Sequence, residues 1–176
     1  MRSRSAPRKI EGEDEIYNAA LRALMRRAHS IHEMKEQLGR RAEDKEAVAA
    51  VIARLRERGY LDDARFARDF ARQHAQARHQ GRFRVARELR ARGVPDAHIE
   101  AALESVFAEN NEAESVRERI RRKLAHARGP LDDRKLASLY RSLIAAGFSS
   151  DVIRTELRTA VRAEVPEIPE VEPLGE

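Results

Sequence analysis

The chain of 176 residues contains no cysteine and no tryptophan, and it is poor in glycine (8), proline (6) and aromatic residues (5 %). Each shortage removes a class of protein. Without cysteine there are no disulfides, no thiolate metal sites and no Cys nucleophile. Scarce glycine and proline, with Ala, Arg, Glu and Leu dominant, favour helix and disfavour sheet, because straight-chain residues and Ala lose little entropy in a helix. No apolar run approaches the ~20 residues needed to cross a bilayer. The basic stretch 1–9 is followed by no hydrophobic segment, so it does not read as a secretory signal, and the expected compartment is the cytoplasm.

Sequence chemistry is equally thin. There is no GxxxxGK[ST] loop, no Gly-rich strand-to-helix turn for a dinucleotide, no HExxH and no nucleophile elbow. The six histidines are His29, His32, His74, His79, His98 and His126. His29 and His32 straddle a helix break before Ser30, an unpromising arrangement for a shared metal. The Asp62-Asp63 and Asp132-Asp133 pairs are explained more simply by helix capping than by metal ligation. The expectation is a protein with no catalytic residues, no cofactor and no metal.

What is present is charge and period. Charged residues make up 37 % and the net charge is +5. Between positions 64 and 93 stand nine arginines against two acids, Asp69 and Glu88, whereas positions 164–176 hold five glutamates and no basic residue. A basic middle points to nucleic acid or to a partner that carries it.

The most informative feature is an internal repeat. Residues 89–103 slide by 54 positions onto 143–157, and back by 51 onto the first third of the chain. Leu38, Leu89 and Leu143 then align. So do Met34, Val85 and Leu139; Val48, Ile99 and Ile153; and Ile52, Leu103 and Leu157. Gly93 meets Gly147, with Ala42 in the first copy. Apolar positions agree across copies and polar ones do not, the mark of shared packing under a varied surface.

Each copy reads as helix, turn, helix, turn, helix. In copy one Tyr17, Leu21, Leu24 and Ala28 form a stripe, Ser30 and Glu33 form a capping box, and a third helix runs to Gly59. Copy two starts at Asp62-Asp63, with Phe66, Phe70 and Ala77 inward in its first helix and Tyr60 assigned to the same core period. Its second helix ends at Gly93, and Pro95 is placed in the first turn of its third. Copy three uses Val116, Ile120 and Leu124, then Leu136, Leu139 and Leu143, then Val152, Ile153 and Leu157. The predicted fold is all-α: three tandem three-helix repeats forming an elongated, curved array. The expected boundaries are a disordered basic arm at 1–12, repeats at 13–60, 61–109 and 110–163, and a disordered acidic tail at 164–176.

On a helical wheel Arg65, Arg68 and Arg72 lie opposite Phe66 and Phe70, and Arg84, Arg87 and Arg90 lie opposite Val85 and Leu89. An amphipathic helix puts its charges outside in any case. The scarcity of acids among these six arginines is what points to a partner-binding or DNA-binding face, since guanidinium forks suit phosphate and carboxylate. The aromatics follow core period and do not interleave with the arginines, so base stacking is not indicated.

Leu24, Arg27, Ser30, Glu33 and Leu38 resemble the first motif of the RecX family. Gly59, Tyr60, Leu61, Asp62 and Asp63, followed by Phe66 and Ala67, resemble its most recognisable motif. Gly81, Glu88, Leu89, Arg92, Gly93 and Val94, then Ile99 and Leu103, resemble the next. The likeness spans about residues 15 to 160 and departs at Met34, usually Leu, and at Ala42, usually Gly; the third copy has drifted furthest. The resemblance implies a monomeric bacterial regulator that binds RecA and its filament on single-stranded DNA. It implies inhibition of RecA in recombination, DNA repair and the SOS response, with weak direct DNA binding and no membrane. The competing reading is a stand-alone basic helical protein that binds nucleic acid.

Overall fold

The computed structural model describes residues 10–109, 112–125 and 132–164. Residues 1–9 of the expected arm, the expected tail from position 165 onward, and His126 lie outside them. Nine helices are present among the described residues: α1 (Glu13–Leu24), α2 (Ile31–Gly39), α3 (Lys45–Glu57), α4 (Asp63–Gln76), α5 (Arg82–Arg90), α6 (Asp96–Glu109), α7 (Glu112–Ala125), α8 (Asp133–Ala145) and α9 (Ser150–Glu164). The one β-type pairing among them is an isolated bridge between Ile10 and Ala42.

The repeat register holds. All members of the four aligned sets, from Met34 to Leu157, are buried, and Leu38, Leu89 and Leu143 are each no more than 1 % exposed. Helix ends repeat as well. Gly59, Gly93 and Gly147 adopt φ of 69°, 69° and 88° and terminate α3, α5 and α8. The next N–H in each case reaches back to a buried leucine carbonyl: Tyr60 to Leu55, Val94 to Leu89, Phe148 to Leu143. This left-handed ending suits glycine, which lacks the Cβ that disfavours it. Copy one closes α2 differently. The Ala42 N–H bonds to the Leu38 carbonyl at 2.9 Å, one residue tighter, with no left-handed turn. Ala42 is buried, and the neighbouring Arg41 carbonyl accepts the N–H of buried Ile10.

Acidic and hydroxyl caps start the helices. Ser30 and Glu33 form a reciprocal capping box on α2. Asp44 accepts the Glu46 and Ala47 N–H groups, Asp62 accepts that of Arg65, and Asp132 that of Lys135.

The chain divides into two compact units. Unit 1 runs up to Gln73 and takes in Ala86–Val106; unit 2 comprises His74–Val85 and the chain from Phe107 onward. In unit 1, α1, α2 and α3 close over Ile16, Ala20, Met34, Leu38, Val51 and Leu55. The buried stripe of α1 is Ile16, Tyr17, Ala19, Ala20 and Ala23; Leu21 and Leu24 are half-buried against it, and Ala28 is exposed beyond the helix end. In unit 2, α7, α8 and α9 close over Val116, Ile120, Leu139, Leu143, Phe148, Ile153 and Leu157. The α4–α5 turn is fixed onto the α8–α9 turn, with Gly81 N–H on the Ala146 carbonyl at 2.9 Å and Phe83 N–H on the Gly147 carbonyl at 3.1 Å. A Cβ on Gly81 would run into the Gly147 backbone.

Three expectations need correction. Ala77 lies beyond the end of α4 and is exposed, so the inward face of α4 is Phe66, Ala67, Ala71 and Ala75. Pro95 precedes the first residue of α6, and its carbonyl accepts the Ile99 N–H, so it occupies the capping position just outside the first turn. Tyr60 is 50 % exposed, because the left-handed Gly59 turns the chain out of the α3 period.

Phe66 is buried, and its ring centroid lies 5.9 Å from that of Phe70. Phe66→Ala is expected to cost about 3–5 kcal/mol, as buried aromatic truncations do. Urea denaturation followed by far-ultraviolet circular dichroism checks this, and a loss below about 1 kcal/mol would contradict the core assignment.

Candidate interaction surface

The six arginines of the expected face do not fare alike. Arg65, Arg68 and Arg72 on α4 and Arg87 and Arg90 on α5 are exposed. Arg84 is half-buried instead, with Nη1 3.5 Å from the Ala145 carbonyl, so it belongs to the packing of unit 2. Arg65 Nη2 donates to the Gly59 carbonyl at 2.7 Å, and Arg90 Nε pairs with Asp96 at 2.7 Å. That second pair is solvent-exposed and worth at most about 1 kcal/mol. Arg68, Arg72 and Arg87 make no hydrogen bond or ion pair with a described residue, so they carry the charge most open to a partner. Beside them, the Arg65 N–H, the Ala64 N–H and the Arg65 and Arg68 charges hold the Asp62 carboxyl below its usual range.

Two arginines outside this set meet aromatic rings. The Arg92 guanidinium lies 4.6 Å from the Phe70 ring centroid, and Arg54 lies 4.3 Å from that of Tyr17. Both rings belong to the fold, and the contacts are cation–π struts.

A polar cluster sits at the start of α2. Ser30 Oγ accepts the Glu33 N–H at 3.0 Å and donates to the Arg92 carbonyl at 2.6 Å. Glu33 accepts the Ser30 N–H at 3.2 Å and both Nη groups of Arg27, at 2.9 and 3.2 Å. Arg92 Nε approaches Glu33 to 3.8 Å. Asp63 is buried, and its Oδ1 accepts the Ile31 N–H at 2.9 Å. Asp62 therefore caps α4, its own helix, whereas Asp63 caps α2. Gly93 faces the His32 ring so closely that a Cβ would overlap it. His29 Nδ1 lies 3.0 Å from the Arg27 carbonyl. Burial works against the Glu33 charge, but Arg27, the Ser30 N–H and the Arg92 charge outweigh it and hold the carboxyl below its usual range.

Residues 17–55 match the family model described as RecX, first three-helix domain, and residues 62–103 match RecX, second three-helix domain. The chain is 37 % identical over 148 residues to the regulatory protein RecX of Halorhodospira halophila, covering 84 % of this chain and 89 % of that one. The chain belongs to the RecX family. It is also 36 % identical to the RecX of Leptothrix cholodnii, covering 80 % and 86 % of the two chains. Its fold is that of the crystal structure of RecX from Lactobacillus salivarius, with a TM-score of 0.71 at 20 % identity, over 85 % of this chain and 97 % of that one.

The residues that resemble RecX motifs take identifiable places. Arg27, Ser30, Glu33 and Asp63 make the α2 cluster, and Asp62 starts α4. Gly59 and Gly93 supply left-handed turns and Gly81 a close approach. Leu61, Phe66 and Leu89 are buried and Leu24 is half-buried. Glu88 offers its carbonyl to Arg92 Nη1 at 2.9 Å, and Tyr60 is exposed. The polar part of the motif is thus mostly helix capping.

Because Glu33 has a folded pKa below its unfolded value, its contribution is full above the ordinary value of about 4.5 and is lost as pH falls through the lowered folded value. Glu33→Gln is expected to cost about 1.5–3 kcal/mol at neutral pH, as the loss of charged hydrogen bonds does, and to flatten the acid side of the stability profile. Urea midpoints measured across that range check it; parallel profiles for the two proteins would show that the carboxylate does not hold the cluster.

Proposed function

We propose that this chain is a regulator of RecA that binds RecA and its filament on single-stranded DNA and inhibits the recombinase. It acts as a monomer in the cytoplasm, by binding and without catalysing a reaction. Membership of the RecX family carries this reading. The exposed Arg68, Arg72 and Arg87 support it, since they offer guanidinium groups to acidic or phosphate-bearing surfaces without breaking an internal pair.

A second reading, a nucleic-acid-binding protein that needs no RecA, is favoured by the basic middle of the chain. Salt separates the two. Stand-alone binding to DNA weakens steeply as salt rises, whereas inhibition of RecA persists where free DNA binding is lost.

The test is RecA-dependent ATP hydrolysis on single-stranded DNA with rising amounts of this protein. Inhibition well below one protein per RecA is expected; its absence would overturn the proposal. Arg68→Glu with Arg72→Glu is expected to weaken inhibition at least about tenfold through lost charge-assisted contacts, with helical content unchanged. Loss of helix in that variant would show that the row is structural.

A further inference from the structure

A second basic cluster lies within unit 2. Ser115, Glu118, Arg119, Arg122 and Lys123 recur at helical spacing and form one face of α7. With Arg78 and His79 of the α4–α5 turn they line a cleft of about 450 Å³. Among the described residues, four cations and one carboxylate line it. The carboxylate, Glu118, is engaged by Arg121 and Arg122.

The turn holds one cation in place. His79 has φ 49°, a left-handed conformation uncommon outside glycine and often found at ligand sites. His74 and Gln80, both buried, brace it. The His74 Nδ1 lies 2.6 Å from Gln80 Oε1, and the Gln80 N–H donates to the His74 carbonyl at 3.0 Å. The His79 carbonyl is thereby aimed at α7, where it accepts Arg119 Nη1 at 2.7 Å.

Arg119 is half-buried, and its charge is disfavoured first by that burial and then by the Arg84 and Arg122 charges. Arg78 and Lys123 are exposed and make no hydrogen bond or ion pair with a described residue. Cations in the last helical turn oppose the dipole, which accounts for Arg122 and Lys123. It does not account for Arg119, which is further back, or for Arg78, which comes from another segment. A bound anion would offset the repulsion at Arg119 and engage the other two.

We infer that this cleft binds the phosphodiester backbone of a nucleic acid, with Arg78, Arg119 and Lys123 as the phosphate ligands. Phosphate suits the forked donors. Among the described residues no Phe, Tyr or Trp lines the cleft, so no ring stacks on a base, and contact is with the backbone irrespective of sequence. The inference does not depend on the RecA reading and is tested without RecA.

Fluorescence anisotropy of a labelled oligothymidylate titrated with the full chain, over a series of salt concentrations, reads it out. Arg78→Glu with Lys123→Glu is expected to lower affinity at least about tenfold and to reduce the salt slope by about 1.4, the figure for two single-strand phosphate contacts. Both side chains are exposed, so circular dichroism should be unchanged. Arg22→Glu with Arg26→Glu makes the same change in net charge on exposed residues of unit 1 and is expected to leave the slope intact. An equal loss in that control, an unchanged slope in the cleft variant, or displacement of the oligonucleotide by polyglutamate as readily as by unlabelled DNA would overturn the inference.

Discussion

The backbone N–H groups at the start of α2 have no partners within the helix, and unit 1 is arranged to supply them. Ser30 and Glu33 satisfy each other's N–H groups, and Asp63, far along the chain, satisfies that of Ile31. The helix dipole favours two carboxylates at this end. Two carboxylates together need cations, and Arg27 and Arg92 provide them for Glu33. Ser30 spends its own proton on the Arg92 carbonyl, 62 residues away. One helix end therefore fixes the loop before α2, the start of α4 and the end of α5. Arg92 then leans on Phe70, which packs on Phe66. This chain of contacts explains why motif residues so far apart in the sequence converge: they satisfy a single set of backbone donors and the charges that follow from doing so.

The same logic sorts the arginines. An arginine within reach of a buried carboxylate or an unsatisfied carbonyl becomes part of the fold. Arg117 does so in unit 2, where it grips buried Glu156 with two bonds of 2.8 and 3.2 Å. The Glu156 contact raises the Arg117 pKa. Arg27, Arg92 and Arg84 do so through their own partners. Arginines with no such partner among the described residues, namely Arg68, Arg72, Arg87 and Arg78, keep their charge for solvent or for something bound. What separates the groups is where the acids and carbonyls lie in space, and the scarcity of acids in the basic middle is what leaves so many cations in the second group.

The helices and their core were legible because they depend on short-range period. The four aligned apolar sets recur at fixed spacing, and all their members are buried. The left-handed turns at Gly59 and Gly93, the Ser30–Glu33 capping box and the Asp132 cap each act within five residues, so the sequence discloses them. Tyr60, Ala77 and Pro95 were misplaced by a residue or a turn, because a period extrapolated past a helix end ignores how the chain leaves it. Asp63, Arg84 and Arg92 were beyond reach for another reason. Their partners lie tens of residues away, and no local pattern tells an aspartate that caps its own helix from one that caps another. The α7 cations belong with these. Arg119 takes its meaning from the His79 carbonyl 40 residues earlier.

Repeat period and packing unit are also different things here. A copy of about 50 residues buries too little surface to stand alone. The middle copy is not kept whole: α4, α5 and α6 each give residues to both units, with Phe66, Leu89 and Ile99 in unit 1 and His74 to Val85 in unit 2. Sequence adjacency therefore does not define a face. Arg84 and Arg87 stand one helical turn apart on α5, yet the first belongs to unit 2 and is held there by Ala145, while the second belongs to unit 1 and makes no hydrogen bond or ion pair with a described residue. A row drawn on a helical wheel treats them as equivalent. Burial and bonding do not, and any binding surface on the middle copy has to be built from residues sorted by unit first and by helix second.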